Sequence, residues 1–332
     1  MKPEAPACGR GGSLKILAGI SLLLISFFGI NWEQLRSSLD QVTFIGLLAV
    51  IGTVLLGLYL KIIRWYLFLS YFGIPVTFTR IVEAFFLGQA TNILLPWRAG
   101  EVFRVGYLAG DQPAYIPQVT ASVVLEKILD TIALVSIALM VAVYLPDEKA
   151  TWVRNLLLPL SILAIAVLIV MIGWGPGIWE RLRKRLAERS HPWIEKSIPV
   201  IDQFVENSRW LRNPSRLVMS LSVTVVIWIV MWLTNILLFY VLHFQLPVVA
   251  GGLVLVMVYI GVLPALMPGN VGPFYFFAQL GVTPFGVEIE AALAFAILLH
   301  AVVTLTPLIV SGTLFLLSDS TRKMAVAKLR FR

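Results

Sequence analysis

Cysteine and charge are the scarcest features of this 332-residue chain, and each scarcity excludes something. With Cys8 as the one cysteine, an internal disulfide and a cysteine metal cluster are both precluded. Cys8 also precedes the first apolar run, so a lipoprotein cleavage site is not expected there. No DDxxD or HExxH string occurs, which disfavours a metal-dependent transferase. Nothing resembles a nucleotide-binding loop, so any transport must run downhill or be coupled to an ion gradient or the membrane potential. No metal or cofactor is expected, and the chain is not expected to be an enzyme. Charged residues make up only 13%, against roughly 25% in a soluble domain.

What is present is oil. The hydrophobic share is 59%, and several apolar runs are long enough to cross a bilayer. The chain therefore reads as an all-α polytopic membrane protein with about six full spans and two re-entrant helical hairpins. The net charge of +8 is gathered in a few segments, so it reports orientation and anionic lipid before nucleic acid, for which no role is expected.

In chain order, residues 1–13 read as a disordered cytoplasmic tail, and Leu14 to Ile30 as an uncleaved first span. The segment NWEQLRSSLDQ reads as an external loop. A second span from about Val42 to Leu60 exits at Lys61, Arg64, Trp65 and Tyr66, a basic and aromatic interface anchor. A hairpin over 80–109 follows. Pro96 disfavours helix in the residue before it, and Gly100 permits the backbone angles of a reversal. Span three covers Gln118 to Leu145, PDEKATWVRN is external, and span four covers Leu156 to Trp174.

The segment 175–216 carries nine Lys or Arg and reads as a cytoplasmic connector resting on anionic inner-leaflet lipid. Span five is Leu217 to Leu242. A second hairpin over 249–282, broken at MPGNVGP, allows the last span, Ala291 to Leu317, to return the basic tail 318–332 to the cytoplasm. This threading puts 22 of the 26 basic residues on the inner side or the inner hairpin and both termini in the cytoplasm of a cell-membrane protein. It also divides the chain into two halves, 14–145 and 156–317, with the same order of elements and opposite orientation. Both hairpins break at Pro-x-x-x-Gly, Pro96 to Gly100 and Pro268 to Gly272. Inverted repeats with broken helices are the architecture of alternating-access transporters.

The ionisable residues inside these runs are the candidate site. Glu101 has Arg98 three before it and Arg104 three after, on one side of a helix. Glu126 and Asp130 lie one turn apart, roughly 12 to 18 Å into span three. Intramembrane charge costs several kcal/mol unless paired. The expected arrangement therefore sets these carboxylates against Arg98 and Arg104, with Lys127 available to Asp130. Such a set either only fastens the hairpin or also presents donors to a phosphate. Asn92 would donate to the same group or cap broken backbone. His300, in the last span, completes the candidate set, although one histidine on an apolar face is also an ordinary packing residue.

The string formed by Asn92, Pro96, Arg98, Gly100, Glu101 and Arg104, followed by Glu126 and Asp130, resembles the lysylphosphatidylglycerol synthase transmembrane family, the flippase-like region also found in multiple peptide resistance factors. The resemblance covers roughly Leu14 to Leu317. It implies translocation of lipid headgroups through two opposed re-entrant elements, and with the donors above the expected cargo is a phosphate-containing lipid with an anionic headgroup, whether a phospholipid, an aminoacyl-phospholipid or a polyprenyl-phosphate-linked lipid. A small-solute permease and a membrane-embedded glycosyltransferase are the alternatives. Two departures stand out. Where the family has a glutamate after its second hairpin break and an arginine in the last span, Tyr275 and His300 stand here, and their joint replacement implies that the two positions pair. The chain also ends soon after its last span, so the soluble aminoacyl-transfer domain of bifunctional relatives is not expected. Oligomeric state is not legible.

Overall fold

The computed structural model describes residues 10–95, 99–110, 112–145, 213–265 and 267–317, with most of 151–163 and isolated positions between 166 and 202. Cys8, Pro96, Arg98, the tail 318–332, the end of the predicted fourth span and most of 175–216 lie outside the described residues. Every described regular element is a helix. They are α1 (Arg10–Phe27), α2 (Trp32–Asp40), α3 (Phe44–Tyr71), α4 (Phe78–Leu94), α5 (Ala99–Ala109), α6 (Ile116–Tyr144), α7 (Arg154–Leu163), α8 (Pro214–Val241), α9 (Val248–Val262), α10 (Pro273–Val282) and α11 (Ile289–Leu317). Four of these, α3, α6, α8 and α11, are long and apolar enough to cross a membrane, and α1 with α2 form a pair bent by 83°.

Local chemistry explains where the helices begin. Thr43 caps α3 by accepting from Gly46 N. Asn213 caps α8 by accepting from the amides of Ser215 and Arg216, with Pro214 opening the helix, a position where its missing N–H costs nothing. The predicted external loop 31–41 is instead mostly helix. Asn31 Oδ1 accepts from Glu33 N and Gln34 N, and this cap starts α2. In the second predicted loop, Arg154 donates to the carbonyls of Ala142 and Leu145. It thereby closes the carbonyl end of α6 while beginning α7. Within 175–216, Asp202 accepts from Trp179 Nε1 at 3.0 Å and pairs with Arg183 at 3.1 Å.

The second predicted span needs correction. Helix α3 does not end at Leu60 but runs on to Tyr71. Lys61, Arg64 and Trp65 are therefore mid-helix rather than an interface anchor, and Arg64 and Trp65 are fully buried. The apolar run resumes after each charge, and 28 residues at 1.5 Å rise give about 42 Å of helix.

Both predicted breaks occur, and each joins two short antiparallel helices. Helix α4 ends at Leu94, and Leu95 is extended (φ −110°, ψ 147°), as the residue before a proline should be. Helices α4 and α5, about 25 and 16 Å long, pack so that Gly88 faces Gly100 and Arg104 while Glu83 accepts from the Tyr107 hydroxyl. Gly100 has a different role from the expected one. It lies inside α5, and a Cβ there would collide with the Gly88 carbonyl; close approach of two backbones, not a reversal, requires glycine. The second break is longer than MPGNVGP, starting after Val262. It holds Ala265, Gly269, Asn270 and Gly272 at positive φ. At Gly272 (φ +89°) a Cβ would also strike the Gly19 carbonyl of α1, so α1 seals this break from one side. Helices α9 and α10 pair through Gly261 against Phe277 and Gly281 against Val254.

The long helices enclose the hairpins. One core joins α3, α8, α9, α10 and α11 through Val50, Leu238, Val254, Ala278 and Phe295. Another joins α3, α4, α5 and α6 through Ile62, Trp65, Phe85, Tyr107 and Val123. Ser311 of α11 donates to the Phe86 carbonyl of α4, linking the last span to the first hairpin. Gly100→Ala is expected to destabilise the purified protein by about 1–3 kcal/mol through overpacking. Gly106→Ala, on the same helix with nothing within 4 Å, should leave the thermal midpoint unchanged or higher. Equal midpoints for both variants would reject the close-approach role.

Candidate functional site

Two ion pairs fasten the first hairpin to α6, and a third joins α3 to α6. Arg104 of α5 meets Glu126 of α6 with two bonds, Nη1 to Oε1 at 3.3 Å and Nη2 to Oε2 at 3.0 Å. Both side chains are about 95% buried. Two aromatic rings support the guanidinium, Trp65 at 3.8 Å and Phe85 at 5.1 Å, a placement that suits a planar cation over a negative ring face. Trp65 is itself held by donation from Nε1 to Ser122 Oγ. Arg64 of α3 donates from Nη1 to Asp130 at 2.8 Å and to Thr224 Oγ1 at 3.2 Å, and Trp228 Nε1 donates to the same Asp130 oxygen. Lys127 reaches Glu101 at 2.8 Å. This last pair is the most exposed of the three and contributes little by itself.

Of the expected pairings, Arg104 with Glu126 is present. Asp130 is taken by Arg64 rather than by Lys127, which instead reaches Glu101. Arg98 lies outside the described residues. Asn92 caps backbone through Oδ1, which accepts from Gly100 N at 2.8 Å, and the residue lines the adjacent cavities.

In the second hairpin the corresponding link is neutral. His300 of α11 binds the Gly269 carbonyl through Nε2 at 2.8 Å and the Tyr275 hydroxyl through Nδ1 at 3.1 Å. The carbonyl can only accept, so Nε2 carries the proton, and in the neutral ring Nδ1 accepts from Tyr275. Tyr275 and His300, the two departures noted in the sequence, do contact each other. In both hairpins a residue of the second arm is thus bonded to the long helix that follows.

Two cavities meet between these elements. The polar one, about 220 Å³, is walled by Glu101, Arg104, Glu126, Lys127 and Asp130, with Met267 and Ala265 of the second break. The apolar one, about 320 Å³, lies among Val54, Leu58, Val254, Phe274, Leu299 and His300. Lys61, Gln89, Asn92, Tyr259 and Asn270 line both. Five of the seven candidate residues, Asn92, Glu101, Arg104, Glu126 and Asp130, line the polar chamber, and His300 lines the apolar one. Sequence reasoning missed Lys61, Arg64, Gln89, Tyr259 and Asn270. For the first two, the signal was available in the apolar run that resumes after Lys61 and Arg64. For the amides and Tyr259 there was none.

The comparisons with known proteins agree that the chain is a membrane protein. The family described as Lysylphosphatidylglycerol synthase TM region matches over residues 13–311. A UPF0104 membrane protein of Pyrococcus horikoshii is 28% identical over 163 residues, and the match covers 48% of this chain and 48% of that protein.

Arg104→Ala would strip the buried Glu126 of its two hydrogen-bonded contacts and leave it only the longer approach of Lys127 at 4.0 Å, and is expected to cost about 3 kcal/mol of stability. The joint change Arg104→Met with Glu126→Leu should recover most of that loss. Thermal unfolding of the two variants in detergent checks this, and a double variant no more stable than Arg104→Ala would refute the pairing argument.

Proposed function

The chain belongs to the lysylphosphatidylglycerol synthase transmembrane family and is a multi-pass membrane protein; from these premises we propose that it moves an intact lipid with a phosphate-containing headgroup across the cell membrane. The carrying observation is the junction of a charged chamber with an apolar one through a shared wall of five residues. An amphiphile needs both, with the headgroup among the ion pairs and part of an acyl or polyprenyl chain among Val54, Leu58, Val254 and Leu299. A small polar solute has no use for the apolar chamber.

The short arms of the two hairpins support a re-entrant reading. None of α4, α5, α9 or α10 reaches the roughly 30 Å of a hydrocarbon core, and broken backbone at membrane depth is tolerated where it lines a cavity, as Ala265, Met267, Gly269 and Asn270 do. Two such hairpins, each followed by a long helix, suit an inverted repeat that alternates access around the chamber. The reading assigns no chemical step, because each carboxylate of the polar chamber is engaged by a cation and is poorly placed to act as a base. Both termini and the basic segments 175–216 and 318–332 belong to the cytoplasmic side, where anionic lipid meets them.

Reconstituted in vesicles, the protein is expected to speed the exchange of fluorescent phospholipid between leaflets, read by quenching of the outer leaflet. Exchange no faster than in protein-free vesicles, together with binding of a soluble solute in detergent, would instead favour a permease. In cells carrying Cys8→Ser with Lys328→Cys, an impermeant thiol reagent added outside should leave the protein unlabelled. External labelling would overturn the orientation.

A further inference from the structure

Lys61 stands apart from the other charges around the chamber. Among the described residues, four cations, Lys61, Arg64, Arg104 and Lys127, meet three carboxylates, Glu101, Glu126 and Asp130, and each carboxylate is engaged by a cation other than Lys61. Among the described residues no carboxylate comes within 4 Å of the Lys61 ammonium and no hydrogen bond satisfies it, although Asp130 and Glu126 lie near enough to act on it through space. Lys61 is half-buried, and it lines both cavities. Beside it on that shared wall are neutral hydrogen-bonding groups, the amides of Gln89, Asn92 and Asn270 and the hydroxyl of Tyr259. An unpaired ammonium inside a membrane protein is costly and marks a place that a counter-charge would relieve.

Resting on the transport reading above, we propose that Lys61 is the contact for the phosphodiester of the transported lipid, and that it makes the site prefer headgroups of net charge minus one. The position fits the chemistry. In a phospholipid the phosphodiester sits at the boundary between headgroup and chains, and Lys61 sits at the boundary between the polar and apolar chambers. A zwitterionic or cationic headgroup adds an ammonium that would need a free carboxylate, and the three carboxylates of the chamber are already held. Arg64 and Arg104, by the same count, are positioning residues that hold α6 and α5.

The test uses the full chain in nanodiscs of equal phosphatidylglycerol and phosphatidylcholine, with the retained lipids measured by native mass spectrometry. The protein should retain phosphatidylglycerol in preference, Lys61→Gln should lower that preference about tenfold, the effect of one lost charge-assisted contact, and Lys61→Arg should keep it. Because Lys61 makes no hydrogen bond or close ion pair among the described residues, Lys61→Gln should still fold and unfold cooperatively. An unchanged lipid ratio in folded Lys61→Gln overturns the proposal, and leaflet exchange in the same preparation tells whether the transport reading survives it. If the original protein moves neither lipid but binds sn-glycerol 3-phosphate, the lipid source is overturned together with the transport reading. Loss of that binding in Lys61→Gln would then assign Lys61 to a soluble anion instead.

Discussion

A charge buried among apolar helices must be met where it sits, and the first half of this protein is assembled around that requirement. Arg104 meets Glu126 with two bonds while Trp65 and Phe85 cover the guanidinium, so one side chain fixes α5 against α6, α3 and α4 together. Arg64 repeats the device between α3 and α6 through Asp130, with Trp228 bringing in α8. Neither pair is strong evidence of net stabilisation, since desolvation offsets much of the attraction. Their value is register: a hairpin that slid by one turn would strand charges on both sides.

The second hairpin is held by weaker and more local means. His300 and Tyr275 share one neutral hydrogen bond, and His300 reaches back to the Gly269 carbonyl in the break itself. Two non-glycine residues, Ala265 and Asn270, keep left-handed backbone there, a conformation with a real steric cost. Under the transport reading this contrast assigns the halves different parts. The charged hairpin is the fixed wall of the chamber, and the neutral hairpin, strained at its tip and leaning on α1 at Gly19, is the side with less to break on moving.

Much of the architecture could be read before any coordinates, because bilayer-length apolar runs, prolines and charge clusters are strong signals. Spans three and five and the last span agree with α6, α8 and α11 within a few residues, and α10 coincides with the second arm read from the sequence. The errors have a common cause. A charge in an apolar run reads as an exit to water, so Lys61 and Arg64 point to a helix end, whereas α3 carries both onward and gives Arg64 a partner on α6. Residues 31–41 looked like a loop because their helix is amphipathic and short.

The sequence by itself determined that this is a polytopic helical membrane protein of one family, that helices break near Pro96 and Pro268, and which residues carry charge into the apolar interior. Those properties depend on composition, spacing and single residues such as Pro96. Tertiary structure alone decided which cation answers which carboxylate, that Gly100 serves contact with Gly88, and that Lys61 is left over. Each of these depends on the distance between residues far apart in the chain, and a local pattern of spacing carries no information about it.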